Sequence, residues 1–144
     1  MTRLIFAFAF VIGVAAGTPA FAQQSGSLRV EFQGPGGHSS GAYGRVSALH
    51  AAARAVILIQ QALPAGSYQI TNLTGGNSVN AIASDGLIEL KLTAASAAAY
   101  KALVAAVTKA AAEGAAAENA FRGVKAGDLP AGAPATVRAI VKPV

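Results

Sequence analysis

A glycine-rich stretch at residues 34–45, GPGGHSSGAYGR, holds the residue types that come closest to a chemical site. It contains His38, one of only two histidines in the chain, followed directly by Ser39 and Ser40. A serine nucleophile needs a base that is itself oriented by a third group, and the sequence shows no such group nearby. The stretch also lacks the lysine and the spacing of a phosphate-binding loop. Two interpretations of His38 stay open, an exposed loop histidine and a hydrogen-bond donor to a ligand.

The rest of the chain offers few partners for His38. The second histidine, His50, falls in a predicted helix, where we interpret it as a half-buried residue hydrogen-bonded at a sheet edge. Two histidines and no cysteine form no recognisable ligand spacing, so the sequence predicts no metal site. Asn77 and Asn80 flank a predicted hairpin, where asparagine usually serves the turn. The chain by itself assembles no self-sufficient active site.

Residues 1–22 have the pattern of a secretory signal peptide. Arg3 precedes an apolar run at residues 4–16, and an Ala-Phe-Ala sequence stands at residues 20–22. The apolar run is short for a bilayer, which needs roughly 20 residues. We therefore expect cleavage, export to the periplasm or the medium, and no membrane association afterwards.

The composition limits the classes of partner. The chain has 144 residues, a net charge of +5 and no cysteine, so after cleavage it forms one domain without disulfides. Its basic residues are scattered and are not interleaved with aromatic residues, which argues against nucleic-acid binding.

Hydrophobic periodicity gives the order of the elements. Residues 28–34 alternate as a strand, and residues 67–76 and 80–94 give two more. A helix is predicted from residue 46 until Pro64 ends it. Its predicted apolar face carries Val46, Leu49, Ala53, Val56 or Ile57, and Leu63.

A second helix is predicted after Ser96, which is a suitable N-cap. It is rich in alanine up to residue 117, and Gly114 is a predicted point of fraying. The apolar face of this helix is formed by Tyr100, Leu103, Val104 and Val107.

The end of the chain leaves alternatives open. Residues 121–128 could be a fourth strand, and residues 135–144 could be another strand or the first turns of a truncated helix. Either way, the order predicts an α+β fold with a β-α-β-β-α-β antiparallel sheet and both helices on one face, the split β-α-β or ferredoxin-like arrangement.

Three stretches in a fixed order carry a resemblance to a known family. They are GPGGHSSGAYGRVSALHAAARAV, then GGNSVNAIASDGLIELKLTAAS, then GDLPAG. In this order and at similar spacing they resemble the lid or dimerisation domain of metallopeptidase family twenty, the aminoacylase, acetylornithine deacetylase and carboxypeptidase G group. The resemblance covers roughly residues 27–132. It implies a dimerisation domain at residues 23–133 and a tail at residues 134–144, which is either a further strand or a truncated helix leading back into a catalytic domain.

The resemblance also implies roles for individual residues. His38 matches the lid histidine that reaches the active site of the partner subunit and stabilises the oxyanion. Asn80 matches an asparagine placed to contact the substrate, and Gly75 and Gly76 match the turn before it. In such enzymes, two zinc ions lie in a separate catalytic domain, so for this chain the resemblance implies no cofactor.

This sequence departs from the family pattern at several positions. Ala83 stands where the family usually has proline, and Thr93 and Leu129 stand where it usually has arginine. The zinc-binding half of the family does not occur before residue 27 or after residue 132, and a signal peptide joined to a lid suggests an internal deletion, a gene remnant or a module that works with partners.

Three functions follow from these observations. The first is an exported, non-catalytic association module that forms a homodimer, or docks on a full-length family member, through its sheet edge. The second is a fragment of an exported zinc peptidase, active only with a zinc-bearing partner. The third is a small periplasmic binding protein.

Overall fold

The computed structural model describes residues 23–42, 44–129 and 134–144, so the signal peptide predicted at residues 1–22 lies outside the described residues. In chain order, the strands and helices of the described residues are β1 (Gln24–Gln33), β2 (Gly37–His38), α1 (Ala48–Ala62), β3 (Tyr68–Thr74), β4 (Ala81–Ile82), β5 (Asp85–Ala94), α2 (Ala97–Phe121) and β6 (Arg138–Pro143).

The four longer strands form one antiparallel sheet with the order β3-β5-β1-β6. Val30 of β1 stands opposite Ile88 of β5, and both side chains are fully buried. Alternate residues of both central strands therefore face one core, which lies between the sheet and the two helices. The predicted α+β fold with its two helices is confirmed.

Serine caps start both helices. The Ser47 side chain accepts from the His50 N–H at the start of α1, and the Ser96 side chain accepts from the Ala99 N–H at the start of α2. The Ser96 cap is as predicted. Helix α1 ends before Pro64, whose ring cannot continue a helix.

The buried face of α1 is rotated from the predicted one. Val46 and Leu63 are buried as expected. Of the two alternatives, Val56 packs against the core, whereas Ile57 is 55% exposed. The fully buried residues of the helix are four alanines and one isoleucine: Ala48, Ala51, Ala52, Ala55 and Ile59. An alanine face allows α1 to lie close to its neighbours, and this close packing decides the orientation over the larger side chains.

Gly114 lies at a close contact between the two helices, and the prediction that the helix frays there is wrong. It is buried within α2. A Cβ atom at this position would lie 2.7 Å from the Ala55 nitrogen and 2.9 Å from the Ala51 carbonyl oxygen. The absence of a side chain at Gly114 therefore lets α1 and α2 touch through their backbones.

The fourth strand of the sheet is β6, in the predicted tail. It pairs antiparallel with β1, with Ala139 opposite Phe32 and Val141 opposite Val30. Both Ala139 and Val141 pack against the core. The strand alternative for residues 135–144 is therefore correct and the truncated helix is wrong, because residues 138–143 pair with the edge of β1.

The strand predicted at residues 121–128 is also wrong. Helix α2 continues to Phe121, and turns follow it. The Asn119 side chain then holds the returning chain, because its amide oxygen accepts from the Val137 N–H at 2.8 Å and its amide nitrogen donates to the Val137 carbonyl at 3.0 Å. This pair of hydrogen bonds aligns β6 with β1 from the end of α2.

Candidate functional site

A two-stranded ribbon of β2 and β4 brings the two predicted site residues together. His38 stands opposite Ala81, and the Ser39 N–H donates to the Asn80 carbonyl at 2.8 Å. As a result, the Asn80 amide nitrogen lies 3.1 Å from His38 Nε2, although the two residues are 42 positions apart in sequence. The sequence placed these residues on separate loops, and the ribbon makes them neighbours.

The glycines before His38 allow the ribbon to form. Gly36 and Gly37 have backbone φ angles of 61° and 143°, which residues other than glycine rarely adopt. A Cβ atom at Gly36 would also lie 2.8 Å from the Ser84 Cβ. The Gly34 N–H donates to the Ser84 carbonyl at 2.8 Å and extends the contact between the two loops. The glycine-rich stretch therefore serves a close backbone approach.

Hydrogen-bonding groups on both sides orient the His38 ring. The Ser40 N–H lies 3.3 Å from Nδ1, and the Ser40 Oγ lies 2.8 Å from the same nitrogen. On the other side, the Asn80 amide nitrogen lies 3.1 Å from Nε2, and the Asn80 amide oxygen accepts from the Ser78 hydroxyl. Ser40 and Asn80 therefore hold the ring in place from the two loops.

The Ser40, His38 and Asn80 side chains do not amount to a complete acyl-transfer site. All three residues lie on the exposed ribbon and its loop. The backbone N–H groups of Gly41 and Ala42, which stand next to Ser40, both donate to the His38 carbonyl, at 3.1 and 2.8 Å. They are therefore occupied and do not form an oxyanion hole beside the serine.

No metal centre is formed by the side chains of the described residues. Within residues 23–42, 44–129 and 134–144, no group of three or more histidine, aspartate or glutamate side chains could hold a metal ion. We therefore assign no chemical step through zinc to these residues. Among the same residues, no helix has both the length and the apolar character needed to cross a membrane.

A cleft of about 650 Å³ lies beside the ribbon. Its walls are formed by β4, the loop between β3 and β4, the start of α1, and Arg122, which follows α2. We call it the basic cleft, because Arg45, His50 and Arg122 are among its lining residues. The other lining residues are Ser39, Gly44, Ser47, Leu49, Gly75, Gly76, Asn77, Ser78, Val79, Ala81, Ile82 and Ala83.

Glu118 is a buried structural residue beside the cleft that the sequence analysis missed. Its side chain is completely buried, and its Oε1 accepts from the Ser47 N–H at 3.2 Å. The Nε atoms of Arg54 and Arg122 donate to its two oxygens, at 3.0 and 3.3 Å. One carboxylate thus joins the start of α1 to the end of α2.

Several neighbours determine the pKa of Glu118. Burial raises the pKa of this carboxyl group, whereas the Ser47 N–H, the two arginines and His50 lower it, and the net pKa lies below its usual range. His50 Nδ1 lies 3.7 Å from Glu118 Oε1, and the His50 side chain is 59% exposed. The interpretation of His50 as a half-buried residue at a sheet edge is therefore wrong.

A signal for Glu118 did exist in the sequence. The apolar stripe of α2 includes Val107, and steps of three or four residues from there lead through Ala111 and Gly114 to Glu118. A carboxylate at a core position of a helix needs partners, since an unpaired buried charge is very unfavourable.

In a comparison with known protein families, most of the chain matches one family. Residues 23–119, more than half of the chain, match the family described as the peptidase dimerisation domain. No curated protein matches the chain.

Solved structures share the fold. An aminobenzoyl-glutamate utilization protein from Klebsiella pneumoniae superposes with a TM-score of 0.61 and 17% identity, covering 88% of this chain and 31% of that one. A hydantoinase/carbamoylase family amidase from Burkholderia ambifaria gives 0.61 and 21%, with 87% and 28% covered. A tripeptidase from Staphylococcus aureus gives 0.60 and 17%, with 84% and 29% covered. The chain therefore spans less than a third of the length of these three structures.

Proposed function

The chain belongs to the peptidase dimerisation domain family, and from this premise we propose that it is an exported, non-catalytic module for protein–protein association. Its partner is a second copy or a longer family member. The observation that carries the proposal is an unpaired sheet edge with no charged side chain or proline along it. Such an edge presents free backbone N–H and C=O groups to another strand.

The two edges of the sheet differ in how they are protected. The order β3-β5-β1-β6 leaves β3 and β6 at the edges. Strand β6 carries Arg138, Lys142 and Pro143, which are residue types that discourage pairing at an edge. Strand β3, YQITNLT, has neither charge nor proline, and its Leu73 is 43% exposed. We propose β3 as the strand that pairs across a two-fold axis.

Leu73→Lys tests this assignment. A lysine on β3 places a charge at the proposed junction of two sheets, so the variant should sediment as a monomer at concentrations where the unchanged chain is a dimer. Ile140→Lys puts the same substitution on β6 and should leave the dimer intact. Sedimentation velocity from about 1 to 500 μM is the measurement. A strictly monomeric unchanged chain at the highest concentration, or a dimer lost equally in both variants, contradicts the proposal.

We propose further that this chain has no peptidase or deacylase activity alone. The occupied N–H groups beside Ser40 and the lack of a metal-ligand cluster in the described residues support this. The role of His38 is then in trans, at the active site of a zinc-bearing partner, with Asn80 contacting the substrate, as the family resemblance implies. The distance of 3.1 Å between their side chains is compatible with a shared site.

An activity assay decides this point. The purified chain, supplied with zinc, should give no turnover of acyl-amino acids or dipeptides above the protein-free rate. His38→Ala should therefore change nothing. Turnover by the unchanged chain that His38→Ala abolishes overturns the non-catalytic proposal.

The second candidate is a fragment of a zinc peptidase that acts only when its catalytic half is supplied. The coverage of 28% to 31% of the similar structures named above favours it. The third candidate, a small binding protein, is favoured by the basic cleft.

A further inference from the structure

Arg45 carries a charge that no carboxylate balances. Among the described residues, the ion pairs of arginine involve Arg29, Arg54 and Arg122, and Arg45 is in none of them. Its guanidinium makes one long hydrogen bond, 3.5 Å from Nη1 to the Gly36 carbonyl. The side chain is nevertheless half-buried at the wall of the basic cleft. A guanidinium has five N–H donors, and this one long hydrogen bond uses only one of them.

The other charged groups of the cleft add to the positive charge. Glu118 lies beneath the cleft and binds the guanidinium groups of both Arg54 and Arg122, so one carboxylate serves two cations. His50 is also part of the wall. None of the described residues that line the cleft is acidic. The Asp85 carboxylate comes near the rim, because its Oδ1 accepts from the Gly76 N–H at 3.4 Å. Arg45, Arg54 and Arg122 against Glu118 and Asp85 still leave an excess of positive charge, which favours an anion.

The rest of the cleft is apolar. Leu49, Val79 and Ile82 belong to its walls, together with two alanines. Val79 is fully exposed, so its side chain is accessible to a ligand in the cleft. A volume of about 650 Å³ lies within the range of sites that bind small molecules.

From these three observations we propose that the basic cleft binds a small organic acid. Arg45 pairs with its carboxylate or phosphate group, and Val79 and Ile82 contact its apolar part. Guanidinium groups bind both oxyanions in a bidentate manner, so the two sources share one chemistry. The site consists of residues of a single chain, so the inference does not depend on the association proposed above.

Binding is tested by calorimetric titration of the full chain with benzoate, phenyl phosphate, inorganic phosphate and benzamide. Benzamide has the shape of benzoate but no charge. We expect saturable binding of benzoate, phenyl phosphate or both, at least about tenfold tighter than benzamide, because the charged hydrogen bonds are lost in the amide. The tighter of the two acids identifies the class of anion, and weaker binding of inorganic phosphate shows the contribution of the apolar wall.

Arg45→Gln should weaken the binding of the acid by about tenfold or more. Lys91→Gln removes a charge of the same sign from an exposed position of β5 and should leave binding unchanged. An unaltered melting temperature of Arg45→Gln, or a circular dichroism spectrum like that of the unchanged chain, shows that the variant is folded.

Each of three results overturns the inference. The first is that neither acid binds at concentrations up to about 10 mM, which is on the order of the weakest specific complexes. The others are that benzamide binds as well as benzoate, or that Arg45→Gln binds the acid as tightly as the unchanged chain does. A dimer that fails to bind acids overturns this inference and leaves the association proposal standing, whereas a monomer that binds them does the reverse.

Discussion

Replacing Glu118 by alanine should lower the free energy of unfolding by about 2–3 kcal/mol. The carboxylate is buried and holds the Ser47 N–H and the guanidinium groups of Arg54 and Arg122. Its removal leaves these donors without their acceptor. Breaking a fully buried ion pair costs about 3–5 kcal/mol. We expect less, because the Arg54 and Arg122 side chains are 37% and 25% exposed and can turn to water.

Urea-induced unfolding at pH 7 measures this difference. Glu113→Ala is the matched control, because Glu113 lies in the same helix and forms an exposed ion pair with Lys109 at 3.4 Å. The control should change stability by less than about 0.5 kcal/mol. Equal losses in the two variants would show that Glu118 contributes no more than a surface carboxylate.

The stability difference between the unchanged chain and Glu118→Ala should depend on pH, and its direction follows from the pKa of Glu118. The folded-state pKa of Glu118 is lowered, so its contribution is present above the unfolded-state value of about 4.3 and is lost as the pH falls through the folded-state pKa. The stability difference between the unchanged chain and Glu118→Ala should therefore shrink at acid pH. A difference that grows as the pH falls would contradict the assigned direction of the shift.

Gly114→Val should destabilise the protein by about 3 kcal/mol. A Cβ atom at residue 114 meets three atoms of α1 at less than 3.0 Å, and two of them belong to its backbone. Backbone cannot turn aside as a flexible side chain can, so the helices must move apart and lose contact along the alanine faces of Ala51 and Ala55. Valine is a better helix former than glycine by a few tenths of a kcal/mol, which offsets little of this loss.

Ala112→Val is the control for this substitution. Ala112 lies two residues away on the exposed side of α2, so added bulk there meets solvent. Its stability should fall by less than about 1 kcal/mol, the difference in helix propensity. Chemical unfolding of both variants gives the comparison. A Gly114→Val variant as stable as Ala112→Val would mean that α1 and α2 tolerate a wider separation than their contact indicates.

Much of the fold follows from local patterns that need no tertiary information. The alternation in β1 predicted a half-buried strand, and Ser96 and Pro64 marked a helix start and a helix end that the structure confirms. These features depend on neighbouring residues, whose preferences are visible in any short window. The register of the sheet and the identity of its edge strands do not follow from such short windows. Nothing local distinguishes residues 121–128 from 138–143 as the fourth strand, because that choice depends on which segment reaches the free edge of β1.

The candidate site shows the same division. Residue types and family resemblance singled out His38 and Asn80, but their contact depends on a ribbon formed by segments 42 residues apart. Burial likewise decided the roles of Gly114 and Glu118, which the sequence left as a point of fraying and an unassigned acid. The sequence by itself determined the two helices, the strands β1, β3 and β5 and their order, and it singled out His38 and Asn80 as candidates. Only the tertiary structure decided which of those residues meet, because a contact between distant segments is determined by the packing of the whole core and by no single stretch.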